Sequence, residues 1–329
     1  MMRNFKFTSM ILFLLSIVIF SQPTCDINST PPEEFDPTQN PYKLTKGEYP
    51  DWCPAGDSIA YVRDGDLWVF DIPGRKKWQV AKNATQPSFS PDGKQIAFER
   101  NKKIYTIDLD TNVERYLAEG ITPSWSENGK WIAFANKTAS YNMSDGTFVY
   151  GTPTPDSSLY YYDLESNTIE TVTVNNYSTM THHYQKEYMS FFFEPEWAEN
   201  DSTLLFASEF SIWKIRRWGG IAIRRIIDFD DGFYLKKPLD DGWELQPSWS
   251  QANRLTAHLL YLINDFTGTT NKNIIFDQLD TSLGGGGIRE ELSHPGWSPN
   301  GDRIVCYGEG YIWIYDVKYI VEEILYGGP

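Results

Sequence analysis

The chain reads Gln-Pro-Ser-Phe-Ser-Pro-Asp-Gly-Lys-Gln-Ile-Ala-Phe-Glu-Arg-Asn-Lys-Lys-Ile-Tyr-Thr-Ile-Asp from Gln86 to Asp108. Pro91-Asp92-Gly93 is typical of a tight turn, and it separates a short apolar strand from a second one, Ile96-Ala97-Phe98. Residues 104–107 and 113–118 follow as third and fourth apolar segments. The stretch therefore predicts a unit of four short antiparallel strands.

Degenerate copies of this unit recur along most of the chain. Six first strands are visible: Pro50-Asp51-Trp52-Cys53, Pro87-Ser88-Phe89-Ser90, Pro123-Ser124-Trp125-Ser126, Pro195-Glu196-Trp197-Ala198, Pro247-Ser248-Trp249-Ser250 and Pro295-Gly296-Trp297-Ser298. The predicted third strands are 67–71, 104–108, 159–163, 212–215, 274–277 and 312–316, five of which end on Asp. That Asp is interpreted as a turn-forming residue rather than an acid catalyst.

Such units bury their apolar faces only by stacking on one another, and a closed ring removes the exposed ends. The sequence therefore predicts an all-β fold, a six-bladed β-propeller of four-stranded antiparallel blades over residues 45–329. Residues 321–326 match residues 113–118 as a fourth strand. The last blade is thus expected to be complete from its own sequence, with ring closure by packing of the last blade against the first.

The turn Pro-x-Trp-Ser-Pro-Asp-Gly, followed by Ile-Ala-Phe and Ile-Tyr-x-x-Asp, resembles the repeat of TolB-type propellers. It also resembles the propellers of prolyl oligopeptidase and dipeptidyl peptidase IV relatives. The resemblance covers residues 49–328 and implies the propeller only. The separate N-terminal α/β domain of the TolB family has no counterpart, and no Gly-x-Ser-x-Gly elbow occurs, so peptidase activity is not expected.

The N-terminus predicts export. Arg3 and Lys6 precede the apolar run 10–20, so residues 1–21 are typical of a signal peptide. Cys25 is a candidate for lipidation, which would anchor the chain to a membrane surface, while an ordinary cleaved signal is the alternative. Residues 22–44 are rich in Pro, Asp, Glu, Ser and Thr and are predicted to be a disordered linker. The expected location is periplasmic or extracellular.

The charge balance limits the partners. The formal net charge is −15, and removal of Arg3 and Lys6 with the signal moves it by −2, to −17. A chain this acidic is not expected to bind nucleic acid or an anionic membrane surface. A monomer that binds an envelope protein, a peptide or a polysaccharide is the prediction.

The spacing of the repeats indicates where a ligand binds. Successive first-strand aromatics are 36 residues apart from Phe89 to Trp125 but 72 apart from Trp125 to Trp197. The excess lies in four insertions, 136–157, 175–193, 229–244 and 264–272. Each is predicted to connect a second strand to a third, or one blade to the next, and such connections emerge on the same end of a propeller. We call that end the loop face, and the end with the Pro-Asp-Gly turns the turn face.

The insertions are rich in aromatic and acidic residues, which suit a peptide, protein or glycan ligand. The candidate ligand-binding residues are Asp145, Tyr150, His182, His183, Tyr184, Asp230, Asp231, Asp241 and Trp243. The competing interpretation is that these side chains pin the loops to the propeller.

No catalytic residue, cofactor or metal site is predicted. His182 and His183 have no companion spacing for a metal, and a calcium-like loop from Asp228 has Leu239 where a bidentate Glu is required. The favoured function is a non-catalytic binding scaffold. The alternative is a glycan-cleaving or lactone-hydrolysing propeller enzyme, with paired carboxylates or an ion at the channel mouth.

The three cysteines of the chain include Cys53 in the first unit and Cys306 in the last. Ring closure brings these units into contact, so a Cys53–Cys306 disulfide across the closing seam is a candidate, which would leave Cys25 for acylation. Burial of both as free cysteines at contacts between blades is the alternative.

Overall fold

The computed structural model describes residues 41–136, 159–178, 193–208, 211–225, 247–250, 252, 255–258, 261–264, 270–271 and 293–326. Within this part of the chain no helix is both long enough and apolar enough to cross a membrane. The signal peptide, residues 1–21, and Cys25 lie outside it and remain predictions.

The described strands form six separate sheets, numbered here by the order of their first strands. Sheet 1 contains β2 (Glu48–Trp52), β3 (Ser58–Arg63), β4 (Asp66–Asp71) and β5 (Lys76–Ala81). Sheet 2 contains β6 (Thr85–Phe89), β7 (Gln95–Glu99), β8 (Lys103–Asp108) and β9 (Glu114–Glu119). Sheet 3 contains β10 (Ile121–Trp125), β11 (Trp131–Ala135), β12 (Leu159–Asp163) and β13 (Thr168–Val172).

The second half of the chain supplies the other three sheets. Sheet 4 contains β14 (Val174–Ser178), β15 (Phe193–Ala198), β16 (Thr203–Ser208), β17 (Ser211–Arg216) and β18 (Gly220–Arg225). Sheet 5 contains β19 (Pro247–Ser250), β20 (Leu255–His258), β21 (Tyr261–Asn264) and β22 (Thr270–Asn271). Sheet 6 contains β23 (Ser293–Trp297), β24 (Arg303–Gly308), β25 (Tyr311–Asp316) and the N-terminal strand β1 (Tyr42–Lys46).

The sheets are arranged around an axis lined by their first strands. β2 contacts β6, β6 contacts β10, β10 contacts β15, β15 contacts β19, β19 contacts β23, and β23 contacts β2. Buried side chains of neighbouring sheets pack together at these seams, for example Ala60 and Leu67 of sheet 1 with Phe89 and Ile96 of sheet 2. The prediction of an all-β propeller with four-stranded antiparallel blades is confirmed, and five of the six sheets have four strands.

Ring closure differs from the prediction. Residues 321–326 are not a fourth strand but belong to helix α1 (Lys318–Tyr326). The fourth strand of sheet 6 is β1, which pairs antiparallel with β25. The first and last parts of the chain thus share one sheet, and β1 begins at Tyr42, inside the segment predicted as a disordered linker.

Gly47 carries the chain from sheet 6 into sheet 1. Its φ is +153°, and a Cβ atom there would lie 2.7 Å from the backbone oxygen of Val62 and 2.5 Å from the ring of Tyr61. Both neighbours belong to a closely packed strand, so only glycine fits this passage.

Two insertions are placed differently from the prediction. Residues 174–178 form β14, which pairs in parallel with β18 at the edge of sheet 4, so sheet 4 has five strands. In sheet 5 the third strand is Tyr261–Asn264, not the predicted 274–277. The connection 265–269 therefore joins the third strand to the fourth and emerges at the turn face. Residues 137–158, 179–192 and 226–246 do connect strand ends at the loop face.

The local turn predictions are confirmed. Gly93, Gly129 and Gly301 have φ between 69° and 74°. The hydroxyl of Ser90 donates to the Asp92 carboxylate at 2.6 Å. At the ends of third strands, Asp108 accepts the N–H of Thr111 at 2.8 Å and Asp163 accepts the N–H of Ser166 at 2.9 Å. The hydroxyl and the N–H of Thr111 lower the pKa of Asp108, and the N–H of Ser166 lowers the pKa of Asp163, as expected for aspartates that form turns.

The candidate Cys53–Cys306 disulfide is absent, and the alternative of two free cysteines holds for Cys306 but not for Cys53. Cys306 is a free, buried thiol, whereas Cys53 is disulfide-bonded. Cys53 packs in the cluster between sheets 1 and 2, so it does not face sheet 6. The residue of sheet 6 that corresponds to Cys53 is Ser298, whose backbone N–H donates to the carbonyl oxygen of Arg303 at 2.9 Å. Cys306 lies three residues beyond Arg303 on the same strand. Cys306 therefore lies at a different level of the ring.

Candidate functional site

The predicted ligand-binding residues Asp145, Tyr150, His182, His183, Tyr184, Asp230, Asp231, Asp241 and Trp243 all lie outside the described residues. The structure does describe the first strands, two of which follow these insertions, since β15 follows residues 179–192 and β19 follows residues 226–246. Every first strand begins at the loop face and ends at the turn face, so its opening residues line the mouth of the axial channel. The candidate site is therefore built from first-strand residues.

A backbone irregularity recurs at this mouth. Tyr49, Gln86, Thr122, Glu194 and His294 each precede a proline and have φ between 49° and 53°. The pairing with the second strand shifts register at each of these points. A left-handed conformation costs a residue with a Cβ roughly 1–2 kcal/mol. The same left-handed conformation recurs in five sheets, so it is a regular β-bulge of this fold. β-Bulges often change the direction of side chains near binding sites.

Three of the mouth residues come together although they belong to different sheets. The rings of Tyr49 and His294 meet edge to face with centroids 4.3 Å apart. His294 Nε2 lies 3.9 Å from Glu194 Oε1. Glu194 belongs to sheet 4 and His294 to sheet 6, and sheet 5 lies between these two sheets. Their side chains therefore meet across the mouth. Both are buried.

A second ring of side chains lies two residues further along each first strand. Its members are Asp51, Ser88, Ser124, Glu196, Ser248 and Gly296. Several of them accept a backbone N–H from the next sheet: Asp51 from Phe89 at 2.7 Å, Ser88 from Trp125 at 2.9 Å and Ser248 from Trp297 at 3.4 Å. Glu196 is hydrogen-bonded by the backbone of Trp249. This ring therefore ties neighbouring sheets together around the axis.

The two acids of the second ring stand on opposite sheets, 1 and 4. Burial raises the pKa of Asp51 to about 7, against the lowering effect of the N–H groups of Phe89 and Trp52. Burial, together with the negative charge of Asp51, raises the pKa of Glu196 to about 8, against the lowering effect of the Ser124 hydroxyl. Both residues keep some contact with solvent, but protein atoms surround their carboxyl groups. This separation from bulk water is the main cause of the raised pKa values.

The surroundings offer little compensation for a negative charge. None of the described first strands contains Lys or Arg. The hydroxyl of Ser124 donates to Glu196 Oε2 at 2.9 Å. Among the described residues, no group of three or more side chains is arranged to hold a metal ion. The pair can therefore donate or accept protons near neutral pH, which is the requirement for acid–base chemistry.

Sequence reasoning missed this pair, although its signal was present. In the six copies the residue after the first-strand proline is Asp, Ser, Ser, Glu, Ser and Gly. Only two copies depart from a small residue, and they are three units apart. Sheets 1 and 4 are three apart in the cycle of first-strand contacts, so the two residues lie on opposite sides of the axis.

A search of solved structures finds β-propellers. A gluconolactonase from Xanthomonas campestris superposes with a TM-score of 0.54 and 10% identity, over 83% of this chain and 86% of that one. The β-propeller domain of Cps50 (Swd1) from Myceliophteria thermophila gives a TM-score of 0.50 and 15% identity, over 85% and 98%. The chain has the β-propeller fold. At these identities the likeness of this propeller to both structures shows the fold alone.

Two further matches cover only part of this chain or part of the matched protein. A family model described as the dipeptidyl peptidase IV (DPP IV) N-terminal region matches residues 21–86. TolB from Acinetobacter baumannii is 16% identical with a TM-score of 0.45, and the match covers 81% of this chain but 53% of that one. The propeller thus spans about half of the TolB chain. No curated protein matches the sequence.

Proposed function

We propose that this chain is an exported binding scaffold whose six sheets form a six-bladed ring and whose loop face takes up a peptide, a protein segment or a glycan. The observation that carries the proposal is the convergence of Tyr49, Glu194 and His294 at the channel mouth. This mouth opens at the end of the ring from which residues 137–158, 179–192 and 226–246 leave the sheets. Tyr49 is partly exposed and lies beside these two buried polar groups, and an aromatic ring next to polar groups suits a ligand that inserts from the loop face.

The candidate loop residues would surround this mouth. Tyr184 belongs to the connection that leads into Glu194, and Asp231 and Trp243 belong to the connection that leads into sheet 5. Large aromatic side chains beside carboxylates provide stacking surfaces and polar anchors. Export follows from the predicted signal peptide, with Cys25 as the candidate lipidation residue, and a monomer is proposed because the ring closes on itself.

The test is binding to a panel of short peptides and of acidic and neutral oligosaccharides, measured by titration calorimetry. We expect Tyr184→Ala, Asp231→Ala and Trp243→Ala to weaken binding of any ligand found, with about 2 kcal/mol or more for a central aromatic anchor. Lys94→Ala is the matched control, because Lys94 is exposed at the turn face. A ligand that all three variants bind as tightly as the wild type would contradict the proposal.

A second candidate function is acid–base catalysis in the channel, favoured by the two opposed carboxyls with raised pKa values. Burial raises the pKa of both carboxyls to about 7 and about 8, so both exchange protons near neutral pH, as the acid and base of glycoside hydrolysis must. The test is hydrolysis of chromogenic glycosides and of aldonolactones by the wild type and by Asp51→Asn. Turnover that Asp51→Asn abolishes would support an enzyme, and turnover equal in both would refute this assignment.

A further inference from the structure

The second ring places two ionisable groups at positions that otherwise hold Ser or Gly. The other positions of this ring carry the small residues Ser88, Ser124, Ser248 and Gly296, and Asp51 and Glu196 belong to sheets that are three apart in the cycle of first-strand contacts. The acids also make hydrogen bonds between sheets, since Asp51 accepts the N–H of Phe89 and Glu196 accepts the hydroxyl of Ser124. The ionisation of these two acids therefore changes the charge of the channel wall and the strength of the contacts between blades.

The other charges around the pair offer no direct counter-ion. The charged and titratable residues on strands packed against β2 and β15 are Tyr61, Arg63, His294, Arg303, Cys306, Tyr307, Tyr311, Tyr315 and Asp316, and Asp201 follows β15. Asp51 pairs in register with Ala60, three residues from Arg63. Arg63 lies beside Asp64 at 3.4 Å. Asp51 and Asp201 are the charged residues that act on Glu196, and both raise its pKa.

We propose that Asp51 and Glu196 form a proton-operated switch that sets the charge of the axial channel. In the protonated state the channel wall at this level is neutral and the carboxyls stay within their hydrogen bonds. On deprotonation the wall carries two negative charges that face each other across the axis. Repulsion between the two carboxylates then weakens the contact of sheet 1 with sheet 2 and the contact of sheet 3 with sheet 4.

The direction of the effect on stability follows from linkage. Both carboxyls have a pKa in the folded protein above the ordinary values of 3.8 and 4.5. The folded protein therefore binds more protons than the unfolded chain between those values and about 7 to 8. Stability falls as the pH rises through this window and levels off above it.

The first measurement is infrared spectroscopy of the purified wild-type protein between pH 5 and pH 9.5. Protonated carboxyl groups absorb apart from carboxylates. We expect a protonated signal that persists at pH 6 and is lost by about pH 9, and we expect Asp51→Asn and Glu196→Gln each to remove part of it. Absence of any protonated carboxyl signal at pH 6 in the wild type would overturn the proposal, and this readout needs no variant to fold.

The second measurement is urea unfolding of the wild type and of the variant Asp51→Asn/Glu196→Gln over the same pH range. We expect the wild-type ratio of folded to unfolded protein to fall about tenfold or more from pH 5 to pH 9, and the double variant to lose most of this dependence. Asp110→Asn/Glu165→Gln is the matched control, since both of these acids are exposed. A folded double variant with the full wild-type pH dependence would also overturn the proposal.

Discussion

Glu194 and His294 meet across the mouth of the propeller, with Oε1 of the first 3.9 Å from Nε2 of the second. They come from sheets 4 and 6, which are separated by sheet 5. Each is the residue before a proline in a bulged first strand. The bulge thus turns side chains of distant repeats toward a common point, which no single repeat could form.

Removal of this contact is expected to destabilise the fold. His294→Ala takes a partner from a buried carboxyl and leaves space beside Tyr49, so we expect a loss of about 1–3 kcal/mol in the free energy of unfolding. Urea denaturation monitored by tryptophan fluorescence measures it. Glu165→Gln, at an exposed position, serves as the control. A loss below about 0.5 kcal/mol, within the range of ordinary surface substitutions, would show that the contact does not matter to stability.

Asp201 holds the first turn of sheet 3 against sheet 4. Its carboxylate oxygens accept the N–H groups of Glu127 and Asn128, both at 2.8 Å, and the residue is buried. Asp201→Ala leaves both donors without this acceptor, and we expect a loss of about 1–3 kcal/mol in stability. Asp201→Asn keeps one acceptor oxygen and should lose less. Chemical denaturation of both variants beside Asp110→Ala, an exposed aspartate, gives the comparison, and equal stability of all three would contradict the role.

Strand β1 closes the ring and can be removed by truncation. Its Leu44 packs against the cluster that contains Ile312 and Ile314, and Lys43 Nζ lies 3.3 Å from the centre of the Tyr311 ring. Deletion of residues 1–46 should expose the edge of β25, lower the melting temperature and promote self-association. Deletion of residues 1–40 is the matched control, because both truncations lack Cys25 and only the longer one lacks β1, so the shorter truncation should melt at a higher temperature than the longer one. Equal melting temperatures and a monomeric state for both truncations would refute the closing role of β1.

The cysteines give a chemical prediction. The chain has three cysteines, of which Cys306 is free and Cys53 is disulfide-bonded. A bond within one chain therefore pairs Cys53 with Cys25, and Cys25 would then not be acylated. Peptide mapping of the unreduced protein should recover the Cys25–Cys53 pair. A lipid on Cys25 together with a free Cys53 thiol would exclude it.

Cys306 should also resist alkylation. The thiol is buried, and burial raises the pKa of Cys306 well above its usual range, so little reactive thiolate exists in the folded protein. Iodoacetamide should label this residue only after denaturation. Rapid labelling of native protein at neutral pH would show that sheet 6 opens readily.

Local sequence alone accounts for the repeating unit. Strand, Pro-Asp-Gly turn and terminal Asp are local devices, because each depends on hydrogen bonds between residues a few positions apart, as Ser90 with Asp92 and Asp108 with Thr111 show. The apolar triplets, such as Ile96-Ala97-Phe98, alternate with these turns and fixed the antiparallel blade and its burial.

Only the tertiary structure decided which distant segments meet. Residues 318–326 carry an apolar pattern that suits a strand or a helix, and they became α1 because β1, at the other end of the chain, pairs with β25. Asp51 and Glu196 also depend on tertiary structure. In the sequence they differ from the other repeats only in replacing a Ser or Gly. Their opposition across the axis, and hence their raised pKa values, exists only once the sheets have closed into a ring, since burial and proximity are properties of the packed molecule.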